Sequence, residues 1–207
     1  KAVRKICDEH GILMICDEVQ CGWARSGKMF ASQYFAEAGA APDIMSTAKS
    51  IAGGLPLSAV TARAEIMDAV PGGTIGGTYG ANAVSAASAL KIVEVMERDD
   101  YPAKAMHISD VVMKAFNEWK DKYECVGDVR GLGAMIGIEF VEDKASKEPA
   151  AALVNAIVQE AMNNGLMLEA AGTYGNVIRF LCPLCVTDAQ LDAGLEIFEN
   201  AIKTCSK

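Results

Sequence analysis

Apolar and polar positions divide the chain into short alternating elements. Residues 12–16 form a continuous apolar run, Ile-Leu-Met-Ile-Cys, bounded by Gly11 and by the acidic pair Asp17-Glu18. Such a run predicts a strand buried on both faces, as in a parallel sheet. Ahead of it, Val3, Ile6 and Cys7 share one face of an amphipathic helix over residues 1–10, and Gly11 fits the position that ends it. A loop rich in glycine and charge covers residues 21–28, followed by a short helix over residues 30–38. Residues 43–47 and 57–62 predict two more strands, with the Gly53-Gly54-Leu55-Pro56 turn between them. The glycine pairs Gly72-Gly73 and Gly76-Gly77 frame a loop ending at Thr78. Residues 82–98 predict a long helix, with Ala86, Leu90, Val93 and Met96 or Glu97 on successive turns.

Asp99-Asp100-Tyr101-Pro102 breaks that helix, and a domain boundary is expected there, between residues 1–102 and 103–207. Beyond it, Ile108, Val111, Val112, Ala115, Phe116 and Trp119 are spaced for one buried face of a helix over residues 103–122. Residues 126–141 are strand-rich, with a bend at Gly131-Leu132-Gly133. A helix is expected from Pro149 to Asn164-Gly165, and short strands over residues 166–168 and 177–181. Thr187-Asp188-Ala189-Gln190 reads as a capping box opening a last helix, with Leu191, Leu195, Phe198 and Ile202 on one stripe. Alternating strands and helices give an α/β first part, and the second part reads as a small α+β domain.

Composition narrows the function classes. Hydrophobic residues make up 51% of 207 and charged residues 22%, enough apolar surface for a packed core. The net charge of −8, with basic residues scattered, argues against a nucleic-acid partner. No apolar run reaches the roughly 18 residues of a membrane span. Seven cysteines show no disulfide framework, which points to a reducing, cytosolic setting. Cys182-Pro183-Leu184-Cys185 lacks a second pair to complete a zinc site and lacks a thioredoxin-like context. His10 and His107 lie far apart with no ligand spacing, so no metal is expected. The chain begins without Met and inside a helical pattern, so it is expected to be a fragment.

Three polar residues stand where bland ones would be expected. Asp17 ends the most apolar strand, and open α/β sheets bind ligands beyond the carboxyl ends of their strands. The alternative is an acidic residue at a solvated strand end. Lys49 follows another short strand, between Ala48 and Ser50, where a desolvated amine becomes a nucleophile for aldehydes. The alternative is a surface lysine. Arg179 sits inside Val177-Ile178-Arg179-Phe180-Leu181 and needs an anionic partner, either a ligand carboxylate or an internal salt bridge. A lysine for the aldehyde and an aspartate for the pyridinium nitrogen are two parts of a pyridoxal phosphate site, and an arginine would dock a substrate carboxylate.

The motifs in full go further. Asp17-Glu18-Val19-Gln20, Gly22-x-x-Arg25-Ser26-Gly27-Lys28-Met29-Phe30-Ala31 and Pro42-Asp43-Ile44 resemble the signature of class III pyridoxal-phosphate-dependent aminotransferases. So do Ala48-Lys49-Ser50-Ile51-Ala52-Gly53-Gly54-Leu55-Pro56-Leu57, Gly76-Gly77-Thr78-Tyr79 and Gly127-Asp128-Val129-Arg130-Gly131-Leu132-Gly133. The resemblance runs from about residue 6 to about residue 202, and its nearest branch is the 4-aminobutyrate aminotransferases. It implies the C-terminal part of the large domain of a fold type I transferase plus the small C-terminal domain. It implies that Lys49 binds the cofactor aldehyde and then shuttles a proton, while Asp17 pairs with the pyridinium nitrogen. Val19 would pack on one ring face, and Gln20 would hydrogen-bond near the phenolic oxygen. Thr78 would reach the cofactor phosphate of a neighbouring subunit, which implies a homodimer with shared active sites. Arg179 would bind the carboxylate of the amino acid or the 2-oxo acid.

The implied reaction is amino transfer from an ω-amino acid to 2-oxoglutarate. An epimerase or aminomutase on the same scaffold is the alternative, as is a non-catalytic fragment without cofactor. Cys21, Trp23 and Ala24 depart from the small residues usual in the family. Gly80-Ala81-Asn82-Ala83 departs from its usual order, Cys182 replaces a common Pro or Val, and the loop 36–41 is long. The resemblance places the phosphate cup and the second ring-stacking aromatic ahead of Lys1, so the chain by itself is expected to be inactive.

Overall fold

The protein is described by a computed structural model covering residues 1–74 and 76–206. It divides into two compact units, Lys1–Ala103 and Lys104–Lys207. In the first, helix α1 (Ala2–His10) ends at Gly11, whose φ of 62° is the left-handed turn expected of it. A three-stranded sheet follows, of order β1-β2-β3, from β1 (Ile15–Asp17), β2 (Ile44–Thr47) and β3 (Ala59–Ala62). β1 and β2 run parallel, with Asp17 opposite Ser46, and β3 is antiparallel to β2. Helix α2 (Ser32–Glu37) lies between β1 and β2, and a 3-10 turn (Lys49–Ala52) follows β2 directly. Helices α3 (Ala64–Met67) and α4 (Ala83–Arg98) complete the unit. Asn82 caps α4, its side chain accepting from the amides of Val84 and Ser85.

The first strand differs from expectation. It begins at Ile15, because Met14 is engaged elsewhere: its amide donates to Asp43 Oδ2 at 2.7 Å and its carbonyl accepts from the Asp43 amide. Nor is the run buried on both faces, since Ile12, Leu13 and Ile15 are exposed. β1 is an edge of this sheet, so among the described residues it has one strand neighbour rather than two.

Helix α5 (Tyr101–Lys122) begins two residues earlier than the sequence pattern suggests. Pro102 falls in its first turn, where a missing N–H costs nothing. The second unit then builds an antiparallel sheet of order β4-β5-β7-β6 from β4 (Val126–Leu132), β5 (Met135–Phe140), β6 (Glu169–Ala171) and β7 (Val177–Phe180). β5 alternates as a half-buried strand should, with Ile136, Ile138 and Phe140 inside. Helix α6 (Ala151–Asn163) and helix α7 (Asp188–Cys205) complete it, and the capping box at Thr187 and Gln190 is present. Phe116 meets Trp119, Phe180 and Phe198 with ring centroids 5.0, 5.7 and 5.6 Å away, the centre of this core. The strand expected over residues 166–168 lies instead at Glu169–Ala171. The Leu166 amide is used to close α6 on the Ala161 carbonyl, which delays strand pairing.

Among the described residues no helix is long and apolar enough to cross a membrane, and no cluster of three or more His, Cys, Asp or Glu could hold a metal ion.

Candidate active site

The parallel pair β1 and β2 brings two of the sequence-predicted residues to one place. Asp17 is the last residue of β1, and Lys49 stands three residues past its register partner Ser46. Both lie at the carboxyl ends of adjacent parallel strands, where open α/β sheets form ligand sites. Lys49 Nζ donates to Gln20 Oε1 at 3.0 Å, so the loop after β1 holds the amine. Asp17 Oδ1 accepts from the Val19 amide at 3.0 Å and from Ser46 Oγ at 3.2 Å. Asp17 and Lys49 are exposed, whereas Val19, Gln20 and Ser46 are half-buried.

The backbone at Lys49 is bent to make this arrangement. Its φ is 54°, the left-handed region that side chains other than glycine rarely adopt. The next turn ends at Gly53, also left-handed at 59°, where a Cβ would stand 2.9 Å from the Ile92 side chain. Ile51 and Ala52 are buried in a small cluster with Trp23 and Met96, and Trp23 meets Phe30 edge-on at 5.2 Å. Trp23, a departure from the family pattern, thus packs inward under the turn that carries Lys49.

Sequence reasoning treated Asp17 and Glu18 as one acidic pair, but the strand pleat sends them opposite ways. Glu18 is 1% exposed. Its carboxylate accepts from the amides of Ala31 at 3.1 Å and Ser32 at 2.5 Å, at the start of α2, and from Cys21 Sγ at 2.9 Å. Its own amide donates to the Ser46 carbonyl, and its carbonyl accepts from the Gly22 amide. Glu18 therefore closes the 18–32 loop onto β2 and fixes the stretch that presents Val19 and Gln20. A Cβ on Gly22 would lie 2.7 Å from the Glu18 carbonyl oxygen, which explains the glycine. Burial, with the Glu18 hydrogen bond adding to it, pushes the Cys21 thiol up to about 12. Cys21 is thereby a neutral donor rather than a nucleophile. The signal that could have found Glu18 is the doubled acid at a strand end, one member of which must face the interior.

Thr78 lies in an exposed turn and, among the described residues, makes no hydrogen bond with Asp17, Gln20 or Lys49. Arg179 belongs to the second unit. It sits on β7 directly opposite Glu169 of β6, and its Nη2 donates to Glu169 Oε2 at 2.5 Å. The internal salt bridge weighed for Arg179 therefore exists. Arg179 Nε is buried without a hydrogen-bond partner, and Glu169 is largely exposed. Both line an apolar groove of about 590 Å3 with Leu166, Phe180, Pro183 and Leu191.

The family model for aminotransferase class-III matches residues 1–202. A 5-aminovalerate aminotransferase, DavT, of Pseudomonas putida is 45% identical over 97% of this chain and 46% of that protein. The 4-aminobutyrate aminotransferase GabT of Escherichia coli is 46% identical over 96% of this chain and 46% of that protein. A leucine/methionine racemase of Thermococcus litoralis is 43% identical over 98% of this chain and 44% of that protein. The chain thus spans about half the length of the curated relatives it matches. A crystal structure of a Bacillus anthracis aminotransferase superposes with a TM-score of 0.89 at 30% identity, covering 98% of this chain and 47% of that one.

Proposed function

We propose that this chain, which belongs to the class III aminotransferase family, carries the lysine half of a pyridoxal phosphate site that transfers the terminal amine of an ω-amino acid to 2-oxoglutarate. The observation that carries the reading is the placement of a lysine amine and an aspartate carboxylate at the ends of two adjacent parallel strands, with Gln20 holding the amine.

The donor set fits the cofactor. Lys49 offers a primary amine to an aldehyde, and Asp17 offers a carboxylate oxygen beyond the one its neighbours occupy. Pyridoxal phosphate, when bound, supplies a ring that withdraws electrons from the substrate carbon bearing the amine. Lys49 Nζ would be the base that takes the proton from that carbon and returns one. Asp17 would accept a hydrogen bond from the ring nitrogen and keep it protonated. Gln20 holds the lysine and would donate toward the phenolic oxygen, while Val19 would pack against one ring face. Arg179 holds a carboxylate of the amino acid or oxo acid, which requires Glu169 to give way. Thr78 is assigned to the phosphate of a neighbouring subunit in a homodimer. The names of two relatives, acting on 4-aminobutyrate and 5-aminovalerate, support a straight-chain substrate with an amine at one end and a carboxylate at the other. Because the chain covers 46% of each, turnover is expected to need the rest of such a protein's length.

The racemase relative favours a second reading on the same residues. The discriminating assay, run on this chain within a protein of the relatives' full length, supplies 4-aminobutyrate or 5-aminovalerate with and without 2-oxoglutarate. Glutamate formed only when both are present supports transamination. Inversion of an α-amino acid without any oxo acid supports the racemase instead.

A further inference from the structure

We propose that Ser46 is a positioning residue for Asp17, an inference that rests on the function proposed above. Asp17 is exposed at a strand end, where a free carboxylate would rotate among its rotamers. Two donors stop it, and both take the same oxygen. The Val19 amide reaches Oδ1 from the loop at 3.0 Å, and Ser46 Oγ reaches Oδ1 across the strand pair at 3.2 Å. With Oδ1 held twice, Oδ2 is left to accept from a ring nitrogen.

The arrangement follows from the register. Asp17 and Ser46 are the last paired residues of β1 and β2, so their side chains stand on the same face of neighbouring parallel strands. The Ser46 carbonyl meanwhile accepts from the Glu18 amide at 2.9 Å, so this one residue ties both members of the acidic pair. The backbone bond survives any side-chain substitution, whereas the hydroxyl bond does not. Removing the hydroxyl should therefore free the Asp17 carboxylate without disturbing the Glu18 clamp.

The test compares Ser46→Ala and Ser46→Thr with the unsubstituted protein. In cofactor-free protein, Ser46→Ala should speed hydrogen exchange of the Val19 amide roughly threefold to tenfold, since its acceptor now moves. With pyridoxal phosphate, Ser46→Ala should weaken cofactor binding at Lys49 about tenfold, read as the concentration that half-saturates borohydride-trapped pyridoxyl on that residue. Ser46→Thr, which keeps the hydroxyl, should stay within about twofold of the unsubstituted protein in each measurement. Ser46→Ala matching the unsubstituted protein in Val19 exchange and cofactor affinity, while Lys49 still carries the cofactor, would overturn the role of Ser46 and leave the functional reading standing. No cofactor on Lys49 in the unsubstituted protein would overturn both. A loss in Ser46→Ala that Thr fails to restore would also overturn the proposal, because the hydroxyl would then not be its cause.

Discussion

Replacing Lys49 by glycine should give a more stable protein than replacing it by alanine. Both substitutions remove the Nζ–Gln20 bond, so their difference isolates the backbone. At φ 54° an L side chain costs about 1–2 kcal/mol relative to the right-handed region. Glycine escapes that cost but gains freedom in the unfolded chain, which opposes the gain by about 0.4–1 kcal/mol. Lys49→Gly should therefore exceed Lys49→Ala by roughly 0.5–1 kcal/mol in urea unfolding of the cofactor-free protein, with the slope unchanged. Ala87, exposed in the middle of α4, is the control of opposite sign. Ala87→Gly there should cost about 1 kcal/mol. Equal midpoints for Lys49→Gly and Lys49→Ala, or a lower one for glycine, would refute the view that strain is stored at this residue.

Other expectations follow from the same contacts. Glu18→Gln turns an acceptor of three donors into a group whose amide faces them, and should cost about 1–3 kcal/mol in urea unfolding, a change under about 0.5 kcal/mol contradicting the clamp. Cys21, at about 12 against the ordinary 9.0, should hold roughly a thousandfold less thiolate at pH 8 than an ordinary thiol, so peptide mapping after brief iodoacetamide treatment should find Cys185 alkylated and Cys21 intact. The Met14 amide, then the Arg4 guanidinium, hold the Asp43 carboxyl below its usual range. Its contribution to stability is thus complete above the unfolded value of about 4 and is lost as pH falls toward the folded one. Asp43→Asn should flatten that part of the acid unfolding profile, and an unchanged slope below about pH 4 would count against the assignment.

Much of the fold was legible because its signals are local. Gly11, Asn164-Gly165 and the Thr187 capping box mark helix ends through the backbone groups they satisfy, and they mark them here. The alternation Ile136, Ile138, Phe140 needs only one strand to be seen. What failed depends on partners far along the chain. The start of β1 is set by Asp43, 29 residues away, and its exposure by which strands flank it. β6 slid three residues because α6 closes on Leu166. Asp17 and Lys49 could be proposed from their places at strand ends and from the motifs around them. Ser46 could not, since its importance lies in hydrogen bonds that join β1 to β2, and Glu18 is marked only by the doubled acid at the strand end, its partners Ala31 and Ser32 lying 13 and 14 residues further on. Arg179 was recognised as needing an anion, but the identity of that anion in this structure, Glu169, follows from strand register alone.

The central claim is that Lys49 is the cofactor lysine. Incubation of the protein with pyridoxal phosphate, reduction with borohydride and mass mapping of the peptides tests it directly. The account predicts a pyridoxyl group on Lys49, absent from Lys49→Ala and weakened in Asp17→Asn. A pyridoxyl group confined to other lysines, or labelling of Lys49 no greater than theirs, would contradict it.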